Sequence, residues 1–447
     1  MLTEGMDLSL WGSYYRASWH GSGQIPERAV RAGLISRFGA IDSNEGGQTQ
    51  RANVNLDWRW RLSDDQLVTI HVYGTYYTLS LFDNFTFFLN NPDTGDEINQ
   101  RDTRFLAGFD GQYEHRSRPF GADLTSSAGL QYRVDTPHVV LANTVQRHLL
   151  ARVQDVRIVE QSYSPFVKFD LAPTNWLRVV TGARGDIFTY DVTSKLNDAL
   201  NGDVTRARPN VKASVVLGPF RQTELFANFG TGFHSNDARA LIQQPGLPAL
   251  PTARGYEFGV KTRLLPRVEF SATYWMLDLA SELVFNGDDG TTEARGPSHR
   301  EGWEFATRMT LLDWLTFSGN VTTTRARFDT GGAVPLAPRV TAQADVTARL
   351  PWGLATSLAM RHVGNRFADE DRTQTARGYT IFDLTARYRY RALEAFIGIE
   401  NLTNVEWREA QLAFTSRLRG EPAAGVQDIH FTPGTPRAVL GGVALKF

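Results

Sequence analysis

Side-chain polarity in this chain alternates residue by residue over runs too long for an ordinary sheet. Between Arg51 and Leu62 the odd positions are Arg51, Asn53, Asn55, Asp57, Arg59 and Arg61, and the even ones are Ala52, Val54, Leu56, Trp58, Trp60 and Leu62. Arg339 to Leu350 repeats the pattern, with Arg339, Thr341, Gln343, Asp345, Thr347 and Arg349 against Val340, Ala342, Ala344, Val346, Ala348 and Leu350. Ile381 to Tyr390 does so again, with Asp383, Thr385, Arg387 and Arg389 against Phe382, Leu384, Ala386, Tyr388 and Tyr390. A period of two is the mark of a strand with unlike faces. Ordinary strands run about 5–6 residues, whereas a tilted membrane-crossing strand needs about 9–11. A row of charged groups cannot pack in a dry core. It can line a hydrated lumen while the other face meets lipid. The pattern therefore predicts an all-β fold, a transmembrane antiparallel β-barrel.

The connections support this. Short ones (Ser63-Asp64-Asp65, Ala172-Pro173-Thr174, Gly218-Pro219, Leu265-Pro266, Leu312-Asp313, Pro351-Trp352, Arg391-Ala392) alternate with long ones (Gly21–Gly47, Asp83–Arg101, Thr136–Arg152, Asn236–Pro251, Thr403–Pro433). Outer-membrane barrels place short turns on the periplasmic side and long loops outside. About 18 strands are expected from this spacing, the first running outward and the last inward to Phe447. Trp58, Trp60, Trp176, Trp314 and Trp352 flank short turns, as an interfacial aromatic girdle requires.

Composition removes other classes. Forty-seven basic against 48 acidic residues give a formal net charge of -1, with no excess for a nucleic-acid partner. There is no cysteine, hence no disulfide or thiolate metal site. No apolar run is long enough for a membrane helix, and a mean hydropathy of -0.31 suits a barrel in which alternate residues face lipid. The first residues, MLTEGMDLSLWG, lack the basic and apolar segments of a signal peptide. There is no Walker loop, nucleophile elbow or His-Glu-x-x-His helix, so no enzyme and no catalytic residues are expected. The nine histidines are scattered, which predicts neither a metal site nor a cofactor. Asn91–Glu97 (NPDTGDE) has the look of a calcium loop but not the EF-hand spacing, and reads better as a turn with solvated acids.

Several segments carry a family resemblance. Gln24–Asp42 (QIPERAVRAGLISRFGAID), Leu81–Leu89 (LFDNFTFFL), Asp96–Asp102 (DEINQRD) and Asn228–Arg239 (NFGTGFHSNDAR) resemble external-loop regions of TonB-dependent receptors. Tyr256–Lys261 (YEFGVK), Ser298–Glu304 (SHREGWE), Gly398–Ala410 (GIENLTNVEWREA) and Phe431–Ala438 (FTPGTPRA) resemble the same family's general pattern. The resemblance implies an outer-membrane barrel of 22 strands filled by an N-terminal plug. It further implies energy from TonB and import of a scarce small molecule, most often a ferric siderophore or similar metal chelate. Residues 1–447 then form one barrel domain, N-terminally truncated, with the plug absent and Met1 an internal start. The alternatives are a passive plugless channel, a non-functional gene fragment, and a soluble β-propeller. The propeller predicts a blade repeat of about 40–50 residues, which is not found.

Two groups are candidate ligand contacts. Phe85, Phe87 and Phe88, with Phe82, open a long external loop, where aromatics grip an apolar ligand or pack the loops together. His234, Asn236, Asp237 and Arg239 follow an outward strand, where they contact ligand or plug, or anchor the loop. Charges on the lumen side (Arg51, Asp57, Arg59, Arg178, Arg184, Asp186, Lys261, Arg263, Arg387, Arg389) are mixed in sign, which suits a protein contact better than a selective pore. Phe447 closes an alternating strand (Val439, Val443, Leu445) and resembles the terminal signal read by the outer-membrane barrel assembly machinery. The expected partners are thus outer-membrane lipid, that machinery, the plug and through it TonB, and the ligand.

Overall fold

The computed structural model describes residues 5–244, 246–286 and 291–445. One antiparallel sheet of 19 strands dominates. Two of its strands, Asp123–Asp135 and His138–Val145, lie end to end between the same two neighbours, Ile98–Ser117 and His148–Thr174. Counted as one, they leave the 18 passes that the alternation predicts. Each pass pairs with the next along the chain, from Met6–His20 with Gly46–Ser63 to Leu393–Glu400 with Ala438–Leu445. The result is a barrel wall built as a continuous meander. Among the described residues, Met6–His20 and Ala438–Leu445 each pair on one side. Leu10, Tyr14, Val439 and Val443 along these strands are 64–70% exposed.

The polar and apolar faces fall as the alternation demands. Val54, Val72, Tyr76, Phe105, Val167, Val211, Leu225, Phe258, Val321 and Leu358 are exposed on nine strands spread along the sheet. An apolar surface of that extent belongs in lipid, since soluble monomers rarely expose patches beyond a few hundred Å². Trp176, Trp314 and Trp352 are exposed beside short turns, and Trp58 and Trp60 stack with ring centroids 5.6 Å apart.

Three sequence expectations shift. The chain reverses at Arg221-Gln222, both with positive φ, rather than at Gly218-Pro219. The strand through Ala172-Pro173 runs on to Thr174 before turning. Thr136–Arg152 is not a loop: the strand resumes at His138, and the chain turns at Gln146-Arg147 and returns from His148. Here two strands rise past the membrane as a hairpin, where no lipid imposes alternation.

The buried apolar residues gather in three clusters, all at the long-loop end. The barrel interior is a lumen, and the dry cores belong to the loops. Thr403–Pro433 contains two further strands, Arg408–Ser416 and Val426–Pro433, which with Ile25–Pro26 make a three-stranded sheet over the barrel mouth. Phe447 lies outside the described residues.

Candidate functional site at the barrel mouth

The aromatic candidates separate by burial. Phe87 is 1% exposed and packs with Ala29 and Leu418 between loops from three parts of the chain. Its backbone sits at φ 58° and bridges Arg417, and Phe88 N–H donates to the Arg417 carbonyl at 3.0 Å. Phe85 and Phe88 are half-buried, and the Arg419 guanidinium lies 4.2 Å from the Phe88 ring centroid. Asp96 fixes the loop by accepting from the backbone N–H groups of Leu89, Asn90 and Asn91 at 2.7–3.0 Å and from Thr86 Oγ1 at 2.6 Å. The Asn91–Glu97 stretch is therefore a turn pinned by its own aspartate.

His234, Asn236, Asp237 and Arg239 lie in a different cluster, around Val156, Tyr190, Val192, Ala238 and Leu241. His234 Nε2 meets the Ser281 carbonyl oxygen at 2.9 Å, and Asn236 Nδ2 donates to the Pro248 carbonyl at 2.6 Å. Asp237 caps the short helix Ala238–Gln243 by accepting from Arg239 N–H at 2.8 Å. Burial pushes the Asp237 carboxyl up, but the Arg239 guanidinium outweighs it and holds it below the usual range. Arg239 also donates to Gln154 Oε1 at 2.8 Å. These contacts anchor the loop, and among the described residues this group and the aromatic one belong to separate clusters.

The residues closing the mouth itself were not singled out in the sequence. Arg361, on the lumen face of Leu354–Val363, has its guanidinium 5.0 Å from the Trp407 ring and 5.7 Å from that of Tyr379. The Arg408 and Arg37 guanidinium groups lie 4.1 and 5.9 Å from the Phe431 ring. Below Trp407 a cavity of about 860 Å³ opens into the lumen, lined by Arg361, Trp407, Asn320, Asp345, Asp383 and Glu409 among others. Cation–π contacts at such distances contribute about 0.5–2 kcal/mol each. Arg361 and Arg419 stay exposed, whereas Arg408 pairs with Glu27 at 3.1 Å and Arg37 with Glu406 at 3.2 Å.

Arg28 holds the roof. Its guanidinium forks onto Glu421 at 2.7 and 2.8 Å and donates to the Ser416 carbonyl at 3.0 Å. That hydrogen bonding holds the Glu421 carboxyl below its usual range. His430, fully buried, meets Ser416 Oγ through Nε2 at 2.6 Å. A signal for these residues existed only in the spacing-free motif GIENLTNVEWREA, which places Trp407 and Arg408 but not their partners.

On the lumen wall the mixed charges pair sideways. Arg178 meets Asp170 at 2.6 Å, Arg184 meets Asp186 at 2.6 Å, and Arg387 and Arg389 share Glu394 at 3.3 and 2.6 Å. Arg263 pairs with Glu269, and His71 Nδ1 lies 2.7 Å from Asp57.

Comparison with known proteins agrees with this architecture. The family model described as TonB dependent receptor-like, beta-barrel, matches residues 3–402. The ferric citrate transporter FecA in its unliganded form superposes with a TM-score of 0.81 at 15% identity, covering 99% of this chain and 68% of FecA. The siderophore receptor PiuA from Acinetobacter baumannii gives 0.79 at 12% identity, covering 99% and 72%. The copper transporter OprC gives 0.74 at 14% identity, covering 100% and 70%. No curated protein sequence matches the chain. At these identities the structural likeness speaks to fold.

Proposed function

Because the chain belongs to the TonB-dependent receptor-like β-barrel family, an outer-membrane family of transporters and not enzymes, we propose that it imports an anionic metal chelate, a ferric siderophore first among them. Receptors of this family take up small molecules and engage TonB through a plug. In this reading residues 1–447 act as the barrel domain of such a system.

The observation that carries the reading is a pair of exposed guanidinium groups laid on aromatic rings at the mouth, Arg361 on Trp407 and Tyr379 and Arg419 on Phe88, with Arg408 and Arg37, on Phe431 and held by Glu27 and Glu406, supporting the wall behind them. Guanidinium groups recognise carboxylates, phosphates and phenolates through charged, directional hydrogen bonds, and the half-buried Tyr379 and Phe88 rings give apolar area to a flat ligand. Phe85 and Phe88 extend the surface. Phe87 supports it from beneath, and His234, Asn236, Asp237 and Arg239 hold the neighbouring loop. Neighbours of this fold are named for ferric citrate, siderophores and copper, so the metal chelate is the shared chemistry.

The test is chelate binding to the detergent-refolded chain, followed by quenching of tryptophan emission, with Trp407→Phe identifying the reporter. Saturable quenching by ferric citrate or a ferric catecholate, weakened about tenfold or more by Arg361→Ala, is expected. Quenching by a cupric chelate alone would move the reading from iron to copper. No saturable binding of any of the three would remove it.

A further inference from the structure

We propose that the external loops carry a calcium site, built around the buried carboxylates of Glu45 and Glu97 with the side-chain amide oxygen of Asn84, and flanked by Asp42 and Asp83. Glu45 and Glu97 are each 2% exposed, Asn84 4% and Asp83 9%. Among the described residues, none of the four acids forms a salt bridge. Three buried oxygens here, Glu45 Oε2, Asn84 Oδ1 and Glu97 Oε2, have no hydrogen-bond donor.

The other halves of Glu97 and Asn84 are engaged, which fixes their positions. Glu97 Oε1 accepts from Thr144 Oγ1 at 2.6 Å and Arg147 N–H at 2.8 Å. Asn84 Nδ2 donates to Asp42 Oδ2 at 2.9 Å, while the Asn84 backbone N–H serves Asp83 Oδ1 at 2.8 Å. Gly23 lies against the Glu45 carboxylate so closely that a Cβ there would stand 2.5 Å from Oε2. The nearby Arg147 does not neutralise the acids through its side chain, because Nε donates to the Asn44 carbonyl at 2.7 Å and a terminal nitrogen to the Glu45 carbonyl at 3.4 Å.

An unpaired buried carboxylate costs several kcal/mol. Burial, reinforced by Asp83, Asp42 and Glu97, pushes the Glu45 carboxyl up to about 9. One proton would supply a donor to one acceptor and leave the others bare. A cation serves all of them. The donor set is oxygen only, and it mixes carboxylates with an amide oxygen, which is the chemistry of calcium with its six to eight oxygen ligands. Among the described residues no three acids alone stand in ready-made metal-ligand geometry, so the Asn84 amide oxygen, nearby carbonyls and water complete the set around the two glutamates. The ion would tie together the Gly21–Gly47 loop, the loop after Asp83 and the hairpin that turns at Gln146-Arg147.

The experiment titrates terbium into the full chain in detergent and reads emission sensitised by tryptophan. Trp19 lies beside the site, with its Cζ2 3.0 Å from where a Cβ on Gly47 would stand. Saturable emission displaced by calcium and not by potassium is expected. Glu45→Gln and Glu97→Gln should each weaken calcium about tenfold or more, and Asp93→Asn, on the exposed turn nearby, should leave it unchanged. Absence of calcium-displaceable emission in the unaltered chain overturns the site, as does unchanged affinity in either glutamine variant. The result on the unaltered chain stands even where a variant fails to fold. Thermal stability raised by Glu45→Gln and insensitive to calcium would show that a proton, not a cation, occupies the cluster.

Discussion

His430 lies flat against Phe414, ring centroids 3.8 Å apart and planes within 12° of parallel, at the centre of the sheet that roofs the barrel. Burial, with the Arg28 guanidinium beside it, pushes the imidazole down to about 3. The folded roof therefore holds neutral histidine. In the unfolded loop the group titrates near 6.5. Its contribution to stability is present above about 6.5 and is lost progressively as pH falls toward 3. Thermal melting of the roof, followed through Trp407 emission, should fall across that window, and His430→Gln should flatten the dependence.

Arg28 meets Glu421 through a two-pronged contact with side chains only 15% and 22% exposed. Removing one partner leaves the other charge partly buried, which costs about 2–3 kcal/mol once residual solvent screening is allowed for. Arg28→Ala should open the segment 408–433 to limited proteolysis while strand content by circular dichroism stays constant. Arg28→Lys should rescue only part, because an ammonium cannot reproduce the planar fork.

Phe87 predicts a different outcome from its neighbours. Truncation to alanine removes a ring that is 1% exposed and should cost about 3–5 kcal/mol of loop stability. Phe88→Ala, half-buried under Arg419, should cost much less and act on ligand affinity. Hydrogen exchange of the Gly21–Gly47 and Asn84–Glu97 backbone separates the two, with fast exchange expected in the first variant only.

The strands Met6–His20 and Ala438–Leu445 leave backbone groups without a partner among the described residues, and each unsatisfied group in hydrocarbon costs several kcal/mol. Transferred from detergent into lipid vesicles, the chain should insert poorly and associate through these edges. Electrophoresis with and without heating and planar-bilayer conductance test this. A compact heat-modifiable band with steady conductance would show that the two edges meet each other.

Lipid made most of the wall legible in sequence. Where a strand crosses the membrane, every second residue must be apolar, and the runs 51–62, 339–350 and 381–390 fall on observed strands apart from their end residues. Above the membrane that demand ends. His138–Val145 (HVVLANTV) pairs on both sides without alternating, and Arg408–Ser416 and Val426–Pro433 sit within a stretch that reads as loop. The site was less legible still. The expected aromatic and polar groups occur, but Phe87 turned inward and His234 joined a separate cluster. The Glu45–Glu97 cluster joins residues about fifty positions apart, and no local pattern announces it.

The sideways pairing of the lumen charges has an electrostatic consequence. Arg178 with Asp170, Arg184 with Asp186, and Arg387 and Arg389 with Glu394 each close their fields on the wall itself. A paired charge acts at a distance as a dipole and fades faster than a lone one. Where the wall charges pair in this way, they present shallower electrostatic wells to the bore than the same charges would alone.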